Sequence, residues 1–234
     1  MFGLQEAPFE FEEGETKISL QKEDEVIHYK REDREETLVE MNIVSSNEKI
    51  LFSPVEPLNI PKQITSSLLI EFENPVVLAS KKKTTFYLTF PVEVGVFMDE
   101  EREPIDIFTF SKSKYTLYGD VKKGEICKYW NSPVRYDMME VDTHSEGILK
   151  LTIANTNTSS IEIHMAVFSG YGMKIFYDED TVCMNGKMIV KDEDRSITDF
   201  FNRPLRKGMK RARDIYEEKK IPLKAAKYLM EGGI

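Results

Sequence analysis

Apolar and polar residues alternate most regularly between Thr84 and Met98. Every even-numbered position from 86 to 98 is apolar: Phe86, Leu88, Phe90, Val92, Val94, Val96 and Met98. A period of two predicts a β-strand with one face on a core. Fully extended, the stretch would span about 50 Å, whereas a compact domain built from most of this chain has a radius of gyration of only about 16 Å. We therefore expect the strand to bend or to change sheet, at Pro91 or Gly95.

Shorter alternating runs on both sides of this stretch predict further antiparallel strands. Lys114–Tyr118 and Glu125–Trp130 are expected to form a hairpin across residues 119–124. Residues 147–154 and 160–168 are expected to pair around a polar connection. Asn185-Gly186 is the strongest short hairpin signal in the chain, and it predicts a turn between residues 182–184 and 187–190. The chain is therefore predicted to be mainly β, as an antiparallel β-sandwich of one or two packed parts.

The last forty residues follow a different period. Four apolar residues recur at helical spacing, and these are Leu205, Met209, Ala212 and Tyr216. Pro204 suits a first helical turn, and a second short helix is predicted from Pro222 to Glu231, before two glycines. The pattern thus predicts a C-terminal helical tail. It divides the chain into an acidic β-rich part (1–60), the main sandwich (61–194) and the tail (195–234).

Charge is distributed unevenly along the chain. The net charge is −9, which argues against nucleic acid as a partner of the whole protein. Residues 1–40 hold thirteen acidic against five basic residues, and residues 203–234 hold ten basic against four acidic ones. The basic residues predicted to act in interaction are Arg206, Lys207, Lys210, Arg211 and Arg213. We expect the tail to dock on the acidic body or to self-associate, so the predicted partner is a second copy or another protein. An anionic membrane surface is the alternative.

One segment concentrates aromatic rings and cations, which together suit ligand binding through stacking and cation–π contacts. The candidate ligand-binding residues are Tyr115, Tyr118, Lys128, Tyr129, Trp130, Arg135 and Tyr136. By strand parity, Tyr115 and Tyr129 lie on the opposite face from Tyr118 and Trp130. One of these two pairs is therefore expected to belong to the core rather than to a groove.

The sequence contains no recognisable catalytic constellation or cofactor motif. Asp142, His144 and Glu146 have a spacing that could supply three metal ligands, but a solvated loop is the preferred interpretation, and we predict neither a metal nor a cofactor. Cys127 and Cys183 are expected to behave as small apolar strand residues. The alternative to a binding module is a carbohydrate-active or metal-assisted hydrolase, which would use the acidic loops 99–101, 178–180 and 192–194 beside the aromatic segment.

Two stretches of the chain resemble a known family. Phe-Tyr-Leu-Thr-Phe-Pro-Val-Glu-Val-Gly-Val-Phe at 86–97 and Lys-Tyr-Thr-Leu-Tyr-Gly at 114–119 resemble an uncharacterised archaeal family of unknown function, found in methanogens. This resemblance implies an archaeal origin and no activity. The Lys/Glu-rich composition is also typical of heat-adapted proteins.

The start of the chain has five glutamates within its first twenty residues and no apolar core of a leader, and no apolar run is long enough to cross a membrane. We therefore expect a cytoplasmic protein. The predicted function is that of a non-enzymatic interaction module.

Overall fold

A computed structural model describes residues 1–34, 36–45, 49–61, 63–98, 103–216 and 227–234. These residues form nineteen strands, and the mainly β class is confirmed. The strands before the long alternating stretch are β1 (Gly3–Glu6), β2 (Phe9–Glu13), β3 (Thr16–Glu23), β4 (Val26–Asp33), β5 (Glu36–Val44), β6 (Lys49–Val55) and β7 (Ser67–Leu78). The middle strands are β8 (Lys83–Pro91), β9 (Glu93–Met98), β10 (Asp106–Phe108), β11 (Lys114–Tyr118), β12 (Glu125–Ser132), β13 (Glu146–Asn155) and β14 (Ile161–Ser169). The last strands are β15 (Ile175–Tyr177), β16 (Val182–Val190), β17 (Ser196–Phe200), β18 (Lys210–Arg211) and β19 (Tyr228–Met230).

The strands form four sheets, and most of their pairings are antiparallel. The N-terminal sheet has the order β2-β3-β4-β5, and the β9 sheet has the order β1-β6-β9-β10. The β12 sheet has the order β11-β12-β7-β14, with a parallel pairing between β12 and β7. The β13 sheet has the order β18-β15-β16-β13-β8, with β17 paired to β16, β19 paired to β17, and a parallel pairing between β13 and β16.

Two apolar clusters hold these sheets together. The larger cluster joins the β12 and β13 sheets through residues such as Ile70, Leu88 and Leu151. The second cluster joins the N-terminal and β9 sheets and contains Tyr29 and Val94. Removing these apolar side chains from water supplies most of the driving force for packing. The division into three parts stays a prediction.

The alternating stretch of residues 84–98 contributes buried side chains to both clusters. Phe86 and Phe90 on β8 are buried in the larger cluster, and Val94 on β9 is buried in the second. The strand is interrupted at Val92, directly after Pro91. There the backbone N–H donates to Ser145 O at 3.0 Å and the carbonyl accepts from Thr109 Oγ1 at 2.7 Å, so both groups leave the ladder. The chain thereby passes from one sheet to another.

Two predicted hairpins are wrong in the structure. Asn185-Gly186 lies inside the continuous strand β16 and not in a turn. A Cβ at Gly186 would lie 3.1 Å from Leu149 Cδ1, a tight contact, so the packing around this position favours glycine. The strands of residues 147–154 and 160–168 do not pair with each other either. β13 pairs with β8 and β16, whereas β14 pairs with β7 in the other sheet.

The predicted C-terminal helical tail is also wrong. Residues 203–209 are irregular, and β18 and β19 follow as short strands. Gly208 has a φ of +92°, which an α-helix does not allow. The apolar residues of this segment instead pack on the body, Leu205 and Met209 against the small cluster around Phe176. The first half of the second predicted helix, residues 222–226, lies outside the described residues, and Tyr228–Met230 of its second half form β19.

Candidate functional site

Three tyrosines of the aromatic segment use their hydroxyl groups inside the protein. Tyr115 donates to Ile60 O at 2.7 Å. Tyr118 donates to Gly233 O at 2.9 Å and accepts from the Gly232 N–H at 3.0 Å. Tyr129 donates to a carboxylate oxygen of Glu71. These hydroxyl groups therefore have internal partners.

The remaining aromatic candidates do not converge on one groove. Trp130 Nε1 donates to Thr89 Oγ1 at 2.9 Å and its ring packs against the larger cluster. Arg135 forms a two-way backbone bridge with Tyr87. Tyr136 is 74% exposed. The seven candidate residues thus divide among internal contacts and an exposed loop.

Lys128 is a buried cation rather than a surface ligand. Its Nζ lies 2.6 Å from Glu93 Oε1, and the side chains of both residues are at most 1% exposed. The second oxygen of Glu93 accepts from Asn59, at 2.9 Å from the backbone N–H and at 3.1 Å from the side-chain amide. The pair ties β12 to β9 and to the proline-rich segment 54–61. Glu93 stands on the face of the alternating stretch that the sequence predicted to be polar.

A second buried carboxylate, that of Glu56, belongs to the proline-rich segment 54–61. Glu56 accepts from the Ile215 N–H at 3.0 and 3.2 Å, and Tyr216 OH donates to Leu58 O at 2.8 Å. Burial raises the pKa of Glu56 to about 7, although the Ile215 N–H lowers it. These contacts hold the chain around residue 215 against the segment.

The pKa of Glu56 predicts a pH dependence. In the unfolded chain this carboxyl ionises near its ordinary pKa of 4.5, whereas in the folded protein it stays protonated until about pH 7. The free energy of unfolding should therefore decrease as the pH rises from about 4.5 to about 7, by roughly 3 kcal/mol at most. Measured by denaturant unfolding, the Glu56→Gln variant should not show this decrease in the free energy of unfolding with rising pH. The control Glu162→Gln, which replaces an exposed glutamate on β14, should still show it. Parallel curves for the wild type and Glu56→Gln would contradict the assignment.

Beside this contact lies an open cleft of about 560 Å³. It is lined by Gln63, Ile64, Thr65, Ser66, Glu125, Ile126, Tyr171 and Tyr216. The rings of Tyr171 and Tyr216 meet edge to face with centroids 5.3 Å apart. Glu125 accepts from Ser67 Oγ and, at 2.7 Å, from Tyr228 OH, so two hydroxyl groups orient its carboxylate. The volume is in the range of ligand pockets.

The β11–β12 hairpin extends the apolar surface beyond this cleft. Tyr115 and Lys128 are opposite each other on one face of the hairpin, and the proline-rich segment covers them. The next pair on that face, Leu117 and Ile126, is uncovered, at 43% and 50% exposure. Ile126 also lines the cleft. One face of the hairpin is thus buried at one end and apolar yet exposed at the other.

Two of the five basic residues predicted to act in interaction, Arg206 and Arg213, contact the body. Arg206 binds both carboxylate oxygens of Asp178, each at 2.7 Å. Arg211 Nη2 donates to Asp214 at 2.6 Å, and the guanidinium of Arg213 lies 4.9 Å from the centre of the Phe97 ring. Two further members of the set are exposed, Lys207 and Lys210.

The structure brings together two of the three loop residues considered as metal ligands, and Glu146 is not in their cluster. Asp142 and His144 lie together beside Glu13, a residue that the sequence did not single out. Burial raises the pKa of Glu13, and the neighbouring Asp142 raises it further against the opposing effect of His144. Burial raises the pKa of Asp142 as well, but hydrogen bonds from Ser145 and the His144 N–H bring it below the usual range. Nothing in the spacing of the sequence relates Glu13 to this loop.

Neither cysteine has the character of a nucleophile. Cys127 and Cys183 are free and buried. Burial raises the pKa of Cys127 to about 12 and that of Cys183 to about 11, so both thiols are protonated at neutral pH. They act as apolar core residues.

Fold and site together define a mainly β protein of packed sheets, with a cleft at the end of the β12 sheet where β7 and β12 begin. A family model described as "Protein of unknown function (DUF432)" matches residues 1–231. The chain belongs to this family, which confirms the predicted resemblance to an uncharacterised family. No curated protein and no solved structure matches the chain. Within the described ranges, no helix has the length and apolarity that a membrane crossing requires.

Proposed function

We propose that this protein is a non-enzymatic interaction module that binds a protein strand along β11 and the adjoining cleft. The observation that carries the proposal is the exposed pair Leu117 and Ile126, which continues the buried face of the hairpin into the cleft. Exposed apolar surface of this kind, beside a concave site, is typical of protein-binding surfaces.

Strand β11 supplies the second element of the site. Among the residues that the structure describes, β11 pairs with β12 alone, so its other edge is open to a partner. Open edges offer unpaired N–H and C=O groups to an added strand, and pockets beside the edge select its side chains. The cleft provides such a pocket.

The partner that best fits this site is a second copy of the chain. Its own β11 is an extended segment that carries the apolar Leu117 and the basic Lys114. These side chains match the exposed Ile126 and the carboxylate of Glu125, for which the described residues provide hydroxyl partners but no ion pair. A two-fold arrangement needs only this one surface on each copy.

The contacts of the acidic loops favour this proposal over a hydrolase. Asp178 is engaged by Arg206, and Asp192 is engaged by Arg195 at 2.8 Å, so each carboxylate is neutralised within its own surface ion pair. The third acidic loop, residues 99–101, lies outside the described residues. Three of the four tyrosine hydroxyl groups on the aromatic segment have internal partners.

The contacts of the basic segment support docking on the body over binding to a membrane surface. Arg206 pairs with Asp178 on the body, Lys174 of the body donates to Asp214 of the segment, and β18 extends the β13 sheet beside β15. We also propose a cytoplasmic protein of archaeal, methanogen origin, supported by the sequence resemblance and the Lys/Glu-rich composition.

The proposal predicts a concentration-dependent dimer. Size-exclusion chromatography with light scattering should show the dimer mass for the wild type, and Leu117→Glu combined with Ile126→Glu should shift it to a monomer. We expect dimerisation at least about 30-fold weaker, since a residue at the centre of an interface contributes about 2 kcal/mol or more. Both residues are exposed, so the midpoint of thermal unfolding of the monomer should stay within a few degrees of the wild type.

The matched control is Val77→Glu, an exposed apolar residue in the same sheet at 69% exposure. It should leave the dimer intact. A wild type that stays monomeric at every concentration would overturn the assignment of the second copy. A dimer that Val77→Glu weakens as much as the hairpin variant would overturn the choice of surface.

A further inference from the structure

Three metal-ligating side chains meet where the N-terminal sheet contacts the loop before β13. Glu13 is the last residue of β2, and Asp142 and His144 belong to the loop. One carboxylate oxygen of each acid and one imidazole nitrogen all lie within 4.8 Å of one another. His144 Nδ1 contacts Glu13 Oε2 directly. The cluster therefore joins segments that are about 130 residues apart in the chain.

The loop holds its two ligands in a defined geometry. Ser145 Oγ donates to Asp142 Oδ2 at 2.6 Å, and the His144 N–H donates to Asp142 Oδ1 at 3.2 Å. The Glu146 N–H closes the turn on Asp142 O at 2.7 Å. Thr143 Oγ1 donates to Asp180 O at 2.6 Å, which fixes the loop to the body. Hydrogen bonds of this kind orient the first ligands of a metal site.

Aromatic rings surround the imidazole. The ring centres of Phe2, Phe11 and Phe110 lie 5.5, 5.0 and 6.1 Å from that of His144. They exclude water from one side of the cluster and lower its local dielectric constant. Two neighbouring carboxylates repel each other in such surroundings, and a divalent cation between them would neutralise that repulsion.

We propose that Glu13, Asp142 and His144 bind a divalent transition-metal cation, with Zn²⁺ as the preferred ion. One imidazole and two carboxylates are a ligand set that zinc accepts, while Mg²⁺ and Ca²⁺ prefer oxygen ligands alone. Three protein ligands leave one position of a tetrahedral site for water. The ion would link the N-terminal sheet to the loop before β13. This site is separate from the β11 surface, so either proposal can fail alone.

Isothermal titration of the full chain with ZnCl₂ tests this proposal. The protein is first freed of metal with a chelator, and one Zn²⁺ per chain is expected to bind. Glu13→Gln and Asp142→Asn conserve shape and should each weaken binding by about 100-fold or more, because even outer partners of a ligand change affinity by about 10–100-fold. Thermal unfolding with Zn²⁺ in excess should show a rise in the midpoint for the wild type that both variants lose.

The control variant is Glu146→Gln, an acid at the start of β13, directly after the loop, that is not a member of the cluster. It should bind Zn²⁺ like the wild type, as should His28→Gln and His164→Gln, which remove the other two imidazoles. Absence of heat and of a thermal shift would leave His144 and Glu13 as a simple ion pair and overturn the proposal. Equal Zn²⁺ affinity in Glu13→Gln and the wild type would overturn it too.

Discussion

Replacing Lys128 with methionine is expected to lower the free energy of unfolding by about 3–5 kcal/mol, because it leaves a buried charge without its counter-ion. The methionine fills a similar volume, but it removes the only cation in contact with Glu93 among the described residues. The Glu93 carboxylate then stays buried with only the two N–H groups of Asn59. A buried charge without a counter-ion is far more costly than the pair is favourable, because both ions lost their hydration on folding.

Chemical denaturation of the single and double variants measures this effect. Glu93→Gln alone should also destabilise, because Lys128 is then the unpaired charge. The double variant Glu93→Gln with Lys128→Met should lose clearly less than the sum of the two, which gives the interaction energy of the pair. Lys83→Met, which changes an exposed lysine at the start of β8, serves as the control and should lie within about 0.5 kcal/mol of the wild type. A loss of less than about 1 kcal/mol for Lys128→Met would show that water reaches the pair.

Phe97→Ala is the second substitution with a large expected effect, again about 3–5 kcal/mol. Phe97 is fully buried although it breaks the alternation of the stretch 84–98. Its ring lies over Gly95, where a Cβ would be 2.7 Å from Phe97 Cε2, and the guanidinium of Arg213 covers its other side. Alanine would leave a cavity between β9 and the C-terminal segment and remove the cation–π contact.

The two parts of this loss can be separated by a conservative variant. Phe97→Leu retains most of the apolar volume and should cost no more than about 1–2 kcal/mol, while Phe97→Ala carries the full cavity cost. Limited trypsin digestion followed by mass spectrometry should show faster cleavage after Arg211 and Arg213 in Phe97→Ala. Equal stability of both variants would mean that the ring does not anchor the C-terminal segment.

The comparison between sequence and structure is most informative at residues 203–216. Leu205, Met209 and Ala212 have helical spacing, yet Leu205 and Met209 pack around Phe176, and the Ala212 N–H donates to Ile175 O at 2.9 Å. Helix propensity is a weak preference, and the apolar contacts and strand pairing offered by the body outweigh it. Gly208 has a positive φ, which is incompatible with a helix. The sequence does not reveal this angle, because glycine adopts positive and negative φ about equally well.

Asn185-Gly186 illustrates the same point for turns. The dipeptide is a strong hairpin signal when no tertiary contact constrains its backbone conformation. Here Gly186 pairs with Leu151 in the interior of the β13 sheet, where a Cβ would lie 3.1 Å from Leu149 Cδ1 and 3.3 Å from Leu151 Cδ1. Local turn preference and the need for close packing select the same residue, and the sequence does not distinguish between them.

The candidate sites depended on long-range contacts that no local pattern contains. Asp142, His144 and Glu146, whose spacing was interpreted as a solvated loop, include two members of the structural cluster. Glu13 joins them because the N-terminal sheet packs beside the loop. Lys128 was predicted as a ligand-binding cation, and its partner Glu93 occupies an odd-numbered position, opposite the predicted core face of the alternating stretch. A single charged residue in a strand is normally interpreted as exposed. Glu93 is buried because the segment 54–61 covers its face of the strand.

The sequence by itself determined that the chain is mainly β, that residues 84–98 form its central strand region, and that this region changes direction near Pro91. Side-chain alternation and proline chemistry are local properties, so they can be read without the fold. Only the tertiary structure decided which strands pair, which polar faces become buried, and which residues of the β11–β12 hairpin stay uncovered. Those outcomes depend on the contacts between sheets, where the burial of large apolar surfaces outweighs the preferences of individual segments.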